Sequence, residues 1–375
     1  MKDQFPLTQK TTYLDFAGGS LKPKVVVDAI AEFYLHYPVN PHAGDSKQGI
    51  LVHQKIDETR RLVADLVKSK KEEVIFTSGT TQSLNWLAEM FLPLVSAGDE
   101  IILAQDNHAS NILPWVMLAN KAKAKLKFSA DIFKDLNEKT KIVSYAQTNN
   151  TFAKAIDPKE LHEAVKKVGA YLVNDSAQAV THGEVELAYC DAIAISSNKV
   201  YGPTGSGALI VKQELLDKFT PVVYGGGAFI DFDETSWKPK EGIDKFEPGT
   251  PNTAGIIGLG AGIKFFQEYR KKIDISELEK YCFDELSKIN KVKMLSARED
   301  SIIIFSFEGK SPQDIVSYLG NREIIIRGGR MCAKKAFDNR NLVDAIRVSL
   351  GLYNDKKDID TLIEALKNGG DFLDV

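Results

Sequence analysis

Between about residues 74 and 212 short apolar runs alternate with longer amphipathic or polar segments. That rhythm restricts the chain to an α/β architecture with a mainly parallel sheet. Four runs end in polar clusters. Val74-Ile75-Phe76 precedes Thr77-Ser78-Gly79-Thr80-Thr81, and Glu100-Ile101-Ile102-Leu103 precedes Asp106-Asn107-His108. Ile142-Val143-Ser144-Tyr145 precedes Gln147-Thr148-Asn149-Asn150, and Tyr171-Leu172-Val173 precedes Asn174-Asp175. In open α/β sheets ligands bind beyond the carboxyl ends of the strands, so these clusters predict one crevice. Two further runs, 192–195 and 208–211, flank Ser196-Ser197-Asn198-Lys199-Val200-Tyr201-Gly202-Pro203-Thr204-Gly205. After Pro248-Gly249-Thr250-Pro251-Asn252 an Ala-, Gly- and Ile-rich run predicts a long helix, and from about residue 265 the pattern changes to charged helical sequence with β-branched runs at 302–304 and 324–326. The expected organisation is a large domain over 13–264 and a smaller α+β domain over 265–375, on which residues 1–12 can pack.

Composition serves to exclude. With 375 residues, 43% hydrophobic and 26% charged, the chain can bury a large core and is not disordered or fibrous. A net charge of -3 gives no basic field for nucleic acid or an acidic membrane, which leaves a small-molecule partner. No stretch approaches the roughly 20 apolar residues of a membrane span, and Met1–Lys10 has no apolar signal core. Three scattered cysteines (Cys190, Cys282 and Cys332) make neither a disulfide framework nor a thiolate cage, and the six histidines show no metal-ligand spacing. The expectation is a cytoplasmic protein without a metal.

Several residues carry chemistry. Lys199 follows a buried strand in a Ser-, Asn- and Gly-rich turn, a position suited to a Schiff base with a cofactor carbonyl. Asp175 ends another strand; it is either a helix N-cap or the carboxylate that keeps a cofactor ring nitrogen protonated, with Gln178 in reach of the ring oxygen. Thr77–Thr81 lies between a strand and a helical pattern, so its amides and hydroxyls suit a phosphate at a helix N-terminus, although the spacing is not that of a P-loop. His108 reads as a structural histidine or as one that stacks on a ring and moves a proton. Cys332 sits among four cations, Arg327, Arg330, Lys334 and Lys335, which would favour its thiolate; the alternative is an incidental loop thiol. Arg347 interrupts an apolar run and is either ion-paired or a clamp for a substrate carboxylate.

Together these motifs resemble the class V aminotransferase family of pyridoxal-phosphate enzymes, and most closely its SufS-like (group II) cysteine desulfurases. The likeness runs along nearly the whole chain, through Tyr13-Leu14-Asp15, Asn40-Pro41-His42, Thr77–Thr81, His108-Ala109-Ser110-Asn111, Asp175 with Ala177-Gln178, Lys199 with Tyr201-Gly202-Pro203, Gly249–Asn252, Arg327 with Gly329 and Cys332-Ala333, and Arg347 with Ser349-Leu350. It implies a transferase of fold type I with pyridoxal 5'-phosphate on Lys199, Asp175 at the ring nitrogen, Gln178 at the ring oxygen and His108 stacked on the ring. Thr80, Ser196 and Asn198 would hold the phosphate, with Thr250 reaching over from the partner subunit of a homodimer. Asn150 and Arg347 would grip the substrate carboxylate, His42 would line the site, and Cys332 would accept sulfur.

The implied activity converts L-cysteine to L-alanine and passes sulfur from a Cys332 persulfide to an acceptor protein, for iron–sulfur cluster assembly or thiolation. The alternatives are a selenocysteine lyase, another class V aminotransferase, or a catalytically silent sulfur-transfer partner. Asn198 stands where the family has His before the lysine, Arg330-Met331 stands where it has two histidines, and the stretch between His108 and Asn150 is short.

Overall fold

The structure, a computed structural model, describes residues 1–41, 45–152 and 156–369. Its larger sheet has seven strands: β1 (Val74–Thr77), β2 (Glu100–Ala104), β3 (Lys125–Ser129), β4 (Thr140–Ala146), β5 (Tyr171–Asp175), β6 (Ala192–Ser196) and β7 (Gly207–Val211). They lie in the order β1-β7-β6-β5-β4-β2-β3, and β7 alone runs against its neighbours. Its direction follows from chain length. The link from Ser196 to Gly207 is too short for the helical crossover that parallel neighbours need.

Successive residues on these strands face opposite sides of the sheet. Ile102, Val143, Leu172, Ile193 and Ile210 join one core layer, while Ile101, Ile142, Val173, Ala194 and Leu209 join the other. Burial on both faces explains why the strands read as continuous apolar runs rather than as alternating ones. The helices Lys24–His36, Lys47–Leu66 and Thr253–Tyr269 pack together on one side. The last of them starts at Asn252, whose side chain accepts the Gly255 N–H, and Gly262 lets it approach the turn after Lys199: a Cβ there would lie 2.6 Å from the Gly202 nitrogen.

A second, antiparallel sheet has the order β8-β9-β11-β10, from β8 (Val292–Met294), β9 (Ile302–Phe307), β10 (Arg327–Gly329) and β11 (Ala345–Ser349). Ile303, Phe305, Ile346 and Val348 on one face pack under the helices Ile275–Ser287, Pro312–Gly320 and Lys356–Lys367. On the other face Ile302, Ile304 and Ala345 meet Phe152 and Phe337, which joins the two sheets. The N-terminal segment crosses the same junction. Thr12–Tyr13 pairs in parallel with Ile324–Ile325, and the Phe16 N–H donates to the Ser349 carbonyl at 3.2 Å.

One buried group of this part of the chain should make stability depend on pH. Glu279 lies inside the Ile275–Ser287 helix, 8% exposed, and burial, aided by the charge of Asp274, pushes its carboxyl up to about 8. A folded-state value above the unfolded one gives stability that is complete below about pH 4.5 and is lost as pH rises toward 8. Glu279→Gln should therefore stabilise the protein at pH 8 by about 2 kcal/mol or more and have little effect at pH 4.5. Urea denaturation at the two pH values checks this, and an equal gain at both would contradict it.

Candidate active site

The carboxyl ends of β1, β2, β4, β5 and β6 converge on a cavity of about 290 Å³ whose wall includes Thr80, His108, Asn150, Asp175, Gln178 and Lys199. Each polar cluster is there because a parallel strand delivers its C-terminal residues to one edge. At one end the Thr80–Phe91 helix starts without a side-chain cap, and Gly79, Thr80 and Thr81 line the cavity. Its first amides and the helix dipole favour an anion. The helix start can sit this close to the sheet because Gly207 has no side chain: a Cβ there would lie 2.6 Å from the Gly79 Cα. Ser196 Oγ donates to Asn198 Oδ1 at 2.8 Å, which fixes the Asn198 amide at the same end.

Lys199 Nζ donates to the carbonyls of Ala17 and Gly18, at 2.6 and 2.7 Å. Burial, helped by the charge of Arg347, brings its amine down to about 8. Asp175 is pushed up to about 6 by burial and accepts the Ala177 N–H at 3.1 Å. It does not cap a helix, because the following Ala179–His182 turn has Gln178 at its N-cap. Gln178 Nε2 donates to the Ala17 carbonyl at 2.8 Å. His108 Nδ1 accepts the Ser110 N–H at 3.2 Å, which leaves the proton on Nε2. Burial, then the charges of Lys199 and Arg347, lower its pKa, so the ring is neutral at pH 7.

Arg347, in the middle of β11, is 1% exposed. Its Nη2 donates to Asp15 Oδ1 at 2.5 Å and its Nη1 to the Asn150 carbonyl at 3.0 Å. The residue is therefore ion-paired, and its Nε is a buried donor without a partner. Asn150 Nδ2 donates to the Met331 carbonyl at 2.8 Å, and the Ala109 N–H donates to the Cys332 carbonyl at 2.9 Å. Met331 and the exposed Cys332 are thus bonded through their carbonyls to Asn150 on the cavity wall and to Ala109 between the wall residues His108 and Ser110.

The four cations near Cys332 in sequence are engaged elsewhere in the fold. Asp338 pairs with both Arg330 and Lys334, Arg327 lies 3.9 Å from Asp15, and the Lys335 ammonium sits 4.8 Å from the centre of the Phe128 ring. The fold gives each of the four cations a partner other than the thiol. Thr250 is exposed and lies off this cavity, and His42 falls outside the described residues. Among the described residues no group of three or more His, Cys, Asp or Glu is arranged to hold a metal ion.

Residues 12–362 match the family described as Aminotransferase class-V. The chain belongs to the class-V aminotransferase family. A probable cysteine desulfurase of Ureaplasma parvum is 37% identical over 97% of this chain and 94% of its own length. One of Pyrococcus abyssi is 33% identical over 98% of this chain and 96% of its own. Among solved structures, the apo cysteine desulfurase of Thermococcus onnurineus is similar with a TM-score of 0.92 at 30% identity, covering 98% of this chain and 96% of that one. A cysteine desulfurase of Escherichia coli in an S-sulfonic acid form has a TM-score of 0.90 at 28% identity, over 98% and 96% of the two chains.

In this class-V aminotransferase chain the residues present fit pyridoxal phosphate. Thr80 Oγ1 and Gln178 Oε1 are buried without a hydrogen-bond partner, one at the helix start and one on the cavity wall. Such atoms in a native fold call for a missing partner. Phosphate and a ring oxygen supply an acceptor for the hydroxyl and a donor for the amide oxygen. Sequence reasoning missed the N-terminal segment: nothing in the sequence marks Asp15 as the partner of Arg347, or the Ala17 and Gly18 carbonyls as the acceptors for Lys199. The signal available was the run Tyr13-Leu14-Asp15-Phe16-Ala17-Gly18-Gly19, an acidic residue at the entry to a small-residue loop.

Proposed function

We propose that this chain is a pyridoxal-phosphate-dependent cysteine desulfurase that takes sulfur from L-cysteine onto Cys332 and releases L-alanine. The observation that carries this reading is the seat of Cys332, whose loop is bonded through Ala109 and Asn150 to the wall of the cavity that holds Lys199 and Asp175. Bound there, pyridoxal phosphate supplies an aldehyde for amines and a ring that accepts electrons.

Lys199 anchors the cofactor and, once released, takes the Cα proton; an amine brought down to about 8 is suited to that task near neutral pH. Asp175 at the strand end holds the ring nitrogen, and the proximity of that cation offsets the burial that raises its own pKa. Thr80, Ser196 and Asn198 with the Thr80–Phe91 helix start hold the phosphate. The neutral His108 stacks on the ring and moves a proton through Nε2. Arg347, through Nε, and Asn150 orient the substrate carboxylate, with His42 nearby.

The Cys332 thiolate then attacks the substrate sulfur: an S–S bond forms, the Cβ–S bond breaks and its electron pair is taken up by Cβ; one proton delivered to Cβ and the return of the Cα proton from Lys199 complete alanine. Cysteine plus enzyme thiol gives alanine plus enzyme persulfide. The persulfide sulfur passes to an acceptor protein, or leaves as sulfide when an added thiol is oxidised to its disulfide. The working unit is a homodimer in which Thr250 reaches the partner's phosphate. In support, Thr250 lies off its own cavity, and Tyr224, Phe232 and Trp237 are exposed, the first and last in edge-on contact at 5.3 Å. No helix among the described residues is long and apolar enough to cross a membrane, in keeping with a cytoplasmic enzyme.

Alanine and sulfide should be measured from L-cysteine with and without a thiol reductant. A burst of about one alanine per subunit is expected, followed by a slow phase that the reductant accelerates. A keto acid in place of alanine would assign an aminotransferase instead.

A further inference from the structure

Cys332 is held in a conformation that its own segment does not favour. Met331 and Cys332 have φ of +46° and +57°, and Gly329 before them has φ +104°. Two successive side-chain-bearing residues in the left-handed region persist only when surrounding contacts over-determine them. The segment enters from the three-residue β10 and leaves into the five-residue helix Lys334–Asp338, and neither is long enough to be stable alone. Asn150 and Ala109, from the loops after β4 and β2, supply part of the constraint through the Met331 and Cys332 carbonyls, and a side-chain tie to the larger sheet would add to it.

Most charges of the segment cannot supply it. Arg330 and Lys334 share Asp338, so their ion pairs stay inside the segment. Arg340, just after the short helix, is different. Its Nη1 donates to Asp106 Oδ1 at 2.7 Å and its Nη2 to Asp106 Oδ2 at 3.0 Å, a bidentate pair across 234 residues of sequence. The same Nη1 donates to the Ala336 carbonyl at 2.9 Å, and the guanidinium lies 4.3 Å from the centre of the Phe152 ring, which in turn meets Phe337 edge-on at 5.2 Å. Asp106 is buried, two residues before His108. One fork therefore ties the far end of the Cys332 segment to the segment that carries His108. A planar guanidinium does this where an ammonium would not, since two parallel bonds fix orientation as well as distance.

We propose that the Asp106–Arg340 pair is the latch that holds the Cys332 loop against the cavity wall, which makes both residues positioning residues for sulfur transfer. The proposal rests on the reading of Cys332 as the sulfur acceptor. The Asp106 side chain is 5% exposed and that of Arg340 31%, so water reaches the latch from the arginine side only. Its opening frees the loop to move with its sulfur; its closure returns the Met331 and Cys332 carbonyls to Asn150 and Ala109.

Asp106→Asn and Arg340→Gln, with Arg340→Lys as the conservative variant, test the latch on the holoenzyme. Without substrate, amide hydrogen exchange over residues 329–341 should rise at least tenfold in the first two variants, with β4, β5 and β6 unchanged. Alkylation of Cys332 by iodoacetamide should change in rate severalfold. With L-cysteine, the substrate-induced change in cofactor absorbance should persist while the single-turnover burst of alanine slows at least tenfold. Arg340→Lys should lie between wild type and Arg340→Gln in every readout, and it serves where Asp106→Asn does not fold. Unchanged exchange and alkylation, or a burst at the wild-type rate in variants whose loop exchanges faster, would overturn the proposal. A wild-type enzyme that forms no alanine would sink the desulfurase reading separately, and the exchange and alkylation arms would still decide whether the latch exists.

Discussion

Lys199→Ala should abolish alanine formation from L-cysteine, a loss of at least about 10⁴-fold, while the chain stays folded. The size of the effect comes from two roles in one atom. Lys199 Nζ is the amine that carries the cofactor and, when released, the base for the Cα proton. With its pKa brought down to about 8, it is neutral in roughly one molecule in ten at pH 7, a few hundred times more often than an ordinary lysine. Its loss from the fold is mild by comparison. The Ala17 carbonyl keeps its bond from Gln178 Nε2, and Gly18 is half-buried, so water can reach its carbonyl. The stability cost should therefore stay within about 1–2 kcal/mol, the range for one lost hydrogen-bonding group. The purified variant should lack the visible absorbance of the lysine-bound cofactor, show a wild-type circular dichroism spectrum and melt within a few degrees of wild type. Turnover within a hundredfold of wild type would remove Lys199 from the chemistry.

Cys332→Ala should leave cofactor absorbance and the response to L-cysteine intact and still lower alanine release by about a hundredfold or more, because the substrate sulfur then has no thiolate to leave to. The other two cysteines cannot replace it. Cys190 and Cys282 are 1% and 0% exposed, and burial pushes both thiols up, away from the reactive anion. Cys190→Ala and Cys282→Ala should turn over near the wild-type rate and lose about 1 kcal/mol of stability each, for the small cavity they leave. Mass spectrometry after a single turnover decides the assignment. One added sulfur atom belongs on Cys332; its appearance on Cys190 or Cys282 with Cys332 unmodified would refute it.

These two expectations draw on different kinds of legibility. Lys199, Asp175 and Thr80 could be picked from the sequence because each follows an apolar run, and a run of that length in an α/β pattern must be a strand whose end opens on the crevice. The structure places all three on one cavity wall. Cys332 is legible only in part. Its four neighbouring cations read as available in the sequence, yet in the fold their partners are Asp338, Asp15 and the Phe128 ring. Arg347 shows the same limit, since nothing near it in sequence announces that Asp15, 332 residues away, already occupies one of its nitrogens.

What depends on local chain direction and periodicity is written in the residues themselves: the mainly parallel sheet, the crevice at its carboxyl edge, and the lysine, carboxylate and helix start that face it. Strand direction and side-chain alternation are properties of a few consecutive residues, so they are written in consecutive residues. The contacts that close the site come from folding at long range: the Ala17 and Gly18 carbonyls over Lys199, the Asp15–Arg347 pair, and the Asp106–Arg340 fork beyond the Cys332 loop. A charge interacts with whatever comes within a few ångströms in space, at any separation along the chain, and the composition offers 48 cations and 51 anions from which the fold must choose.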